Sequence, residues 1–516
     1  MKKSSRHSPT RRNSGQAIVI IAVAFVGILA FVGLVVDFGV LLINYAQLRK
    51  AVDAAAIAAA GQMREFTDID AQTQAAAQFI ELNNYDPTKV TVQTCDTLTP
   101  EEQATDTELC PTPRRKLIRV IAEGHVTFFF LPVIGFYGTD IKAQAIGEAA
   151  SLDVVLILDR SNSMAYYDAD RNLLHDDDPM RNPDNCNPGN NCHPFAEVKA
   201  AANSFIDRLK FPLDRVAIIQ FDLNASAPQA VGSGSFASQS VWFTGATAAK
   251  NVINGMTVYK DADSPYPETP DPPEPTDDRN YNNPAPRMST NIGGSLRLGG
   301  NQFNYQRRRD AVWIVVLLTD GAANVTDHPI VDGTGTVLLE HGYCPYSTWY
   351  DGTACADTDP DSRHSLNNRS KKNPNNHYDP FALNAFDFIQ YQYDADDYAR
   401  DMADYVGCPS TTPTNANSWC FDSLHYAGGE GGQGATIFTI GLGPQVLDYY
   451  GYSNGAYLLR YIAAVGYDND PTIDETCGGK PADIDQCGNY YYAPNDTKLQ
   501  HIFEQIASKI YTRISH

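Results

Sequence analysis

Five side chains of this 516-residue chain could share one cation. Asp159, Ser161 and Ser163 stand in the pentamer Asp159-Arg160-Ser161-Asn162-Ser163. Thr290 opens Thr290-Asn291-Ile292-Gly293-Gly294, and Asp320 lies in Leu318-Thr319-Asp320-Gly321. The set offers carboxylate and hydroxyl oxygens, with no sulfur and no imidazole. Such donors suit a hard cation: Mg²⁺ first, held octahedrally with waters retained, with Ca²⁺ or Mn²⁺ as alternatives. The set has no nucleophile–base pair, and no Gly-rich phosphate loop adjoins it. We therefore expect binding chemistry and no enzyme.

Oxygens so far apart in sequence must be brought together by the fold. Asp153 to Leu158 is a short continuous apolar run, and Val312 to Thr319 is the strongest such run in the chain. Both read as buried parallel strands. Arg215 to Phe221, Ser240 to Phe243, Ala435 to Ile440 and Tyr490 to Ala493 are strand-like. Phe195 to Leu209 and Asn291 to Phe303 have helical patterns, and Asp496 is placed to cap a closing helix from Lys498 to Ile510. Strands alternating with helices predict an α/β fold: a doubly wound, mainly parallel sheet covered on both faces. The candidate ligands then fall at the carboxyl ends of strands, where open α/β sheets bind ligands. This domain is expected over 151–516, with insertions near 165–194, 258–287, 326–433 and 466–489. Asp261 to Asp278 is rich in Pro and acid, and Thr326 to Gln433 far exceeds the usual connection of under about 15 residues. The loops nearest the ligands should crowd the metal edge.

The charge is placed unevenly. The chain carries −22 overall, which excludes a general nucleic-acid binder with a basic face. Yet Lys2, Lys3, Arg6, Arg11 and Arg12 stand before the first acid, ahead of an uncharged run from Ala17 to Val36. Asp37 interrupts, and Phe38 to Ile43 is apolar again. About 20 apolar residues cross a bilayer, and positive flanks stay in the cytoplasm. A cleaved signal would have an apolar region of about 7–15 residues. This run is longer and continues into helix-prone Leu48 to Gln62. We expect a cytoplasmic basic tail (1–15) and a transmembrane and juxtamembrane helix (16–62) that meets the cell membrane through 17–43. The C-terminal part would be extracytoplasmic, in a single-pass topology. Asp37, at the outer end, is expected to reach water. Val90 to Thr94, Lys116 to Val126 and Ile141 to Ala149 are β-prone and predict a small β-rich module over 63–150.

The ten cysteines fall into local couples: Cys95/Cys110, Cys186/Cys192, Cys344/Cys355, Cys408/Cys420 and Cys477/Cys487. An even, local pattern reads as disulfides in an oxidising compartment. The alternative is zinc, for which only Cys192-His193 resembles a ligand cluster. Asp168-Ala-Asp170-Arg-Asn172 and Asp357-Thr-Asp359-Pro-Asp361 begin like calcium loops but lack the EF-hand glycine and final Glu. Tyr449, Tyr450, Tyr452 and Tyr490 to Tyr492 are expected to be partly buried.

The order D-x-S-x-S, then T-N-I-G, then T-D-G resembles the metal-ion-dependent adhesion site of von Willebrand factor A (vWA) and integrin inserted domains, over about residues 151–516. The resemblance implies direct metal binding by Ser161, Ser163 and Thr290. Asp159 and Asp320 would act mostly through waters, and an acidic residue of a partner protein would complete the coordination. Gly15-Gln-Ala-Ile-Val, Val35-Val-Asp37-Phe-Gly39, Leu48-Arg-Lys-Ala-Val-Asp53-Ala-Ala-Ala, Phe128 to Gly135 and Ala143 to Ala149 look like the TadG-like family of tight-adherence (Flp-type) pilus assembly, over about residues 13–150. That resemblance implies pilus-assembly proteins as partners. Processed pilin relatives carry Glu five residues after the cleaved Gly. Here Ile20 stands five after Gly15, which favours a retained anchor. Two functions follow: metal-dependent binding of a partner, or a structural assembly role in which the vWA domain is a spacer or cap.

Overall fold

The chain is described by a computed structural model covering residues 14–62, 69–112, 114–169, 172–175, 178–228, 242–260, 290–304, 307–308, 311–323, 325, 330–331, 337–339, 395–408, 433–447, 454–468 and 483–513. It divides into two compact units, Met1–Ala149 and Ala150–His516.

The first unit is built on one 49-residue helix, α1 (Ser14–Gln62). The two halves of α1 differ. From Ile18 to Val36 its large apolar side chains are exposed, whereas Leu48, Ala51, Val52, Ala55, Ala56, Ala59 and Ala60 are buried. Among the described residues, α1 is the helix long and apolar enough to cross a membrane. The buried positions recur every three to four residues and so form one face. That face packs on α2 (Ile69–Leu82) and on an antiparallel sheet of β1 (Lys89–Thr94), β2 (Lys116–Thr127) and β3 (Gly138–Ala149), in that order. Small side chains let helix and sheet approach closely: a Cβ on Gly147 of β3 would lie 2.2 Å from the Ala56 carbonyl oxygen. The alanines are therefore core residues as well as helix formers. Between β1 and β2, the short helix α3 (Pro100–Thr105) is capped by Thr99, and Cys95–Cys110 closes the connection.

Asp37 departs from the expectation that it reaches water. It is fully buried. Its carboxylate accepts the peptide N–H groups of Phe129 (2.8 Å), Phe130 (2.9 Å) and Leu131 (2.7 Å), at the tip of the β2–β3 hairpin. Partners 92 to 94 residues away leave no local trace in the sequence.

The second unit has a seven-stranded sheet. In chain order its strands are β4 (Ser151–Asp159), β5 (Arg215–Phe221), β6 (Ala225–Ser226), β7 (Ala311–Thr319), β10 (Thr436–Leu442), β11 (Gln486–Cys487) and β12 (Tyr490–Ala493); β8 (Ile330–Val331) and β9 (Val337–Leu339) form a separate hairpin. The spatial order is β11-β12-β10-β7-β4-β5-β6, with β12, β10, β7, β4 and β5 mutually parallel. Central strands that are apolar on both faces need cover on both. Val155, Ile157, Val315 and Leu317 face α7 (Ile292–Asn304), α8 (Ala395–Gly407) and α9 (Asn454–Asp468). Val154, Leu156, Leu158 and Val316 face α5 (Phe195–Ile206), α6 (Ala246–Gly255) and α10 (Asp496–Arg513). Tyr490 to Tyr492 are buried in β12, more deeply than expected. The cap of α10 is Asn495, whose Oδ1 accepts from the Lys498 N–H, and not Asp496.

Within 165–194, the short helix α4 (Pro183–Cys186) runs into the Cys186–Cys192 disulfide. This bond, together with the His193 Nδ1–Glu197 Oε1 contact at 2.6 Å, removes Cys192-His193 as a zinc pair. Cys408 and Cys487 are also disulfide-bonded. Asp168 accepts from the backbone and side-chain nitrogens of Asn172. The expectations for 1–13, Asp170, Asp261 to Asp278, most of 326–433 (with Cys344, Cys355, Cys420 and Asp357 to Asp361), Tyr449, Tyr450, Tyr452 and Cys477 lie outside the described residues.

Candidate metal centre

Strand register does most of the positioning. β4 and β7 are parallel, with Leu158 beside Leu318, and β4 and β5 pair Asp159 with Phe221. Asp159, Thr319-Asp320 and Asp222 therefore emerge together at one carboxyl edge. The turn after β4 is closed from within: Asp159 Oδ1 accepts the Ser161 N–H at 2.7 Å, and Asp159 Oδ2 accepts the Thr319 hydroxyl at 2.6 Å. Beyond the turn the oxygens form a chain. Ser161 Oγ lies 2.9 Å from Ser163 Oγ, and the Ser163 hydroxyl donates to Asp320 Oδ1 at 2.7 Å.

Thr290 reaches the same place from the start of α7. A Cβ on Gly321 would lie 3.7 Å from Thr290 Oγ1, so this hydroxyl stands beside the residue that follows Asp320. The neighbouring Asn291 fixes the approach. It is fully buried, its Oδ1 accepts the Gly294 N–H at 2.9 Å, and its Nδ2 donates to the Leu223 carbonyl at 3.2 Å. The Asn291 N–H donates to the Asp222 carbonyl at 3.1 Å. Arg160, inside the pentamer, turns away from the oxygens to pair with the Asp222 carboxylate through Nε at 2.5 Å. The structure thus brings Asp159, Ser161, Ser163, Thr290 and Asp320 to one edge. Sequence reasoning missed the positioning residues Thr319, Asn291 and Asp222. Thr319 and Asn291 stand beside two of the named ligands, but only the register shows what their side chains hold.

The electrostatics are those of a site lacking positive charge. Asp159 and Asp320 are both buried, and among the described residues no cationic side chain bonds either carboxylate. Burial, offset in part by the Thr319 and Ser161 hydrogen bonds, pushes Asp159 up to about 6. Burial and then the neighbouring Asp159 charge push Asp320 well above the usual carboxylate range. Asp320 Oδ2 is buried without a hydrogen-bond partner. An unpaired buried carboxylate is costly, and a proton or a cation relieves it. Hydroxyl and carboxylate oxygens around an unsatisfied Oδ2 fit a hard divalent cation. Among the described residues no group of three or more His, Cys, Asp or Glu could hold a metal, so any site here depends on its hydroxyls.

The segment after β4 lies over this edge. Tyr167 pairs with Leu173 and His193, and its hydroxyl lies 3.9 Å from where a Cβ on Gly443, just past β10, would stand.

Residues 58–147 match the Tad-like Flp pilus-assembly family. The match begins in the packed half of α1 and covers α2 and most of the three-stranded sheet. No curated protein sequence matches the chain. Among solved structures, it is similar to the PilB minor pilin from Streptococcus sanguinis (15% identity, 74% of this chain and 66% of that chain, TM-score 0.31). It is also similar to the vWF domain of the type V pili tip protein Mfa5 from Porphyromonas gingivalis (14% identity, 71% and 96%, TM-score 0.33). A third is the pilus adhesin SpaC from Lactobacillus rhamnosus GG (12% identity, TM-score 0.32), of which the match covers 33% against 77% of this chain.

Proposed function

We propose that the second unit is a vWA domain that binds Mg²⁺ through Asp159, Ser161, Ser163, Thr290 and Asp320, and that it grips an acidic residue of a partner protein there. The observation that carries this reading is the buried, unpartnered Asp320 Oδ2 at the end of the hydroxyl chain. Ser161, Ser163 and Thr290 supply neutral oxygens, and Asp159 and Asp320 supply charge behind them. A cation bound by neutral ligands keeps affinity for a further carboxylate, which is the chemistry it would supply. The protein would be held in the cell membrane by α1, with its C-terminal unit outside the cytoplasm, as part of a tight-adherence pilus system.

One observation favours a second reading. The family match lies within 58–147, which supports a reading in which the assembly role would belong to the membrane-proximal unit and the C-terminal unit would be a cap. A chromosomal Asp320→Ala variant separates the two. The binding reading expects adhesion to fall to the level seen with a chelator while pili still assemble. Unchanged adhesion in the variant would leave the cap reading in place.

A further inference from the structure

We infer that the tip of the β2–β3 hairpin, Phe128 to Tyr137, inserts into the outer leaflet of the bilayer that α1 crosses, so that the first unit holds the membrane at two points. The inference rests on the reading of α1 as a membrane span.

The tip is apolar and outward-facing. From Phe128 to Gly138 there is no charged residue. Val133 is 88% exposed, Phe129 and Tyr137 are each 72% exposed, and Ile134, Phe136 and Phe130 are exposed as well. A soluble surface rarely gathers so many large apolar groups without a partner.

The occupant follows from continuity and depth. Ala17 to Val36 is 20 residues, about 30 Å of helix at about 1.5 Å per residue, close to the thickness of the hydrocarbon core. The outer boundary then falls near Asp37, the residue that holds the tip. The tip also reaches back along the span. A Cβ on Gly33, one turn before Asp37, would lie 2.8 Å from Phe130 Cβ, so glycine leaves the notch in which that side chain rests. The exposed faces of tip and span are thus adjoining surfaces at the level of the lipid headgroups, where aromatic side chains concentrate.

Irregular backbone at that depth must satisfy its own polar groups. This tip does so. Asp37 takes the N–H groups of Phe129, Phe130 and Leu131. Phe128 donates to Tyr137, Val133 to Phe130, Gly135 to Pro132 and Phe136 to Leu131. Gly135, at φ 96°, makes the left-handed turn that closes the loop. Asp37 is accordingly a structural acid: its charge is spent on backbone donors that would otherwise face lipid.

The test uses the full chain in nanodiscs of phosphatidylethanolamine and phosphatidylglycerol, with or without dibrominated acyl chains. Val133→Trp and Leu29→Trp are compared with the parent as difference emission spectra. Both added tryptophans should emit blue-shifted light and lose intensity on bromination. If Leu29→Trp is quenched while Val133→Trp emits as in water, the span stands and the insertion is wrong. If Val133→Trp is blue-shifted but unquenched, a protein surface covers the tip and the inference fails. If Leu29→Trp itself is unquenched, the membrane span fails and the inference falls with it.

Discussion

On the proposed metal-binding reading Asp320 would meet two opposed demands, since its buried, unpartnered carboxylate is costly on its own and would be needed by a bound cation. Asp320→Asn removes the like charge beside Asp159 at nearly constant shape. The metal-free variant should therefore melt at or above the parent's temperature, while the rise in melting temperature produced by Mg²⁺ is lost. A Mg²⁺-induced rise equal to the parent's would remove Asp320 from the ligand set. Asp106 gives a pH test in the first unit. Its carboxylate is held down to about 2, first by hydrogen bonds from the Arg119 guanidinium (Nη2 to Oδ1, 2.9 Å), then by the Leu109 N–H. Its folded value lies below its ordinary 3.8, so the native state keeps it ionised longer than the unfolded chain does. Its stabilisation is complete above about pH 4 and is lost as pH falls toward 2. Asp106→Asn should melt earlier than the parent at pH 6, and the gap should close near pH 2. A gap that stays constant would assign the loss to packing. At this scale the meeting of the five oxygen-bearing side chains at one edge was legible, because residue type and strand-end position both declare themselves in the sequence. The roles of Thr319, Asn291 and Asp37 were not legible, because each depends on a register or a contact dozens of residues away.

Among the elements, α1 is the one whose reading changed most. Its alanines announced a helix, and propensity alone explains that much. What propensity hides is the face they form, which lets β3 come close enough for Gly147 to meet the Ala56 carbonyl. Gly147→Val inserts a branched side chain where no space exists. It should destabilise the first unit by about 1–3 kcal/mol, the range for overpacking, read as a shift of the denaturant midpoint in detergent. A neutral result would mean that helix and sheet are less tightly joined than the geometry implies. The parallel strands of the second unit were readable because both faces are buried, leaving apolar runs with few rivals. The cap of α10 was misplaced by one residue, from Asn495 to Asp496. Two adjacent residues can both cap by type, and only the hydrogen bond to Lys498 decides between them.

For the whole molecule, the two disulfides fully within the described residues join near neighbours in sequence, Cys95–Cys110 and Cys186–Cys192, one in each unit. Local pairing is what made them legible. Both units would then have matured in an oxidising compartment. An alkaline phosphatase reporter fused after residue 150 should be active, and a cytoplasm-dependent reporter at the same point dark. The opposite result would invert the topology. The continuity of α1 has a mechanical consequence. One helix runs without a break from Ser14 to Gln62, exposed at its start and embedded in a sheet at its end. No linker separates these halves to absorb strain. A pull on the sheet is therefore delivered as axial load and tilt on the exposed half, and the first unit transmits force as a rigid strut.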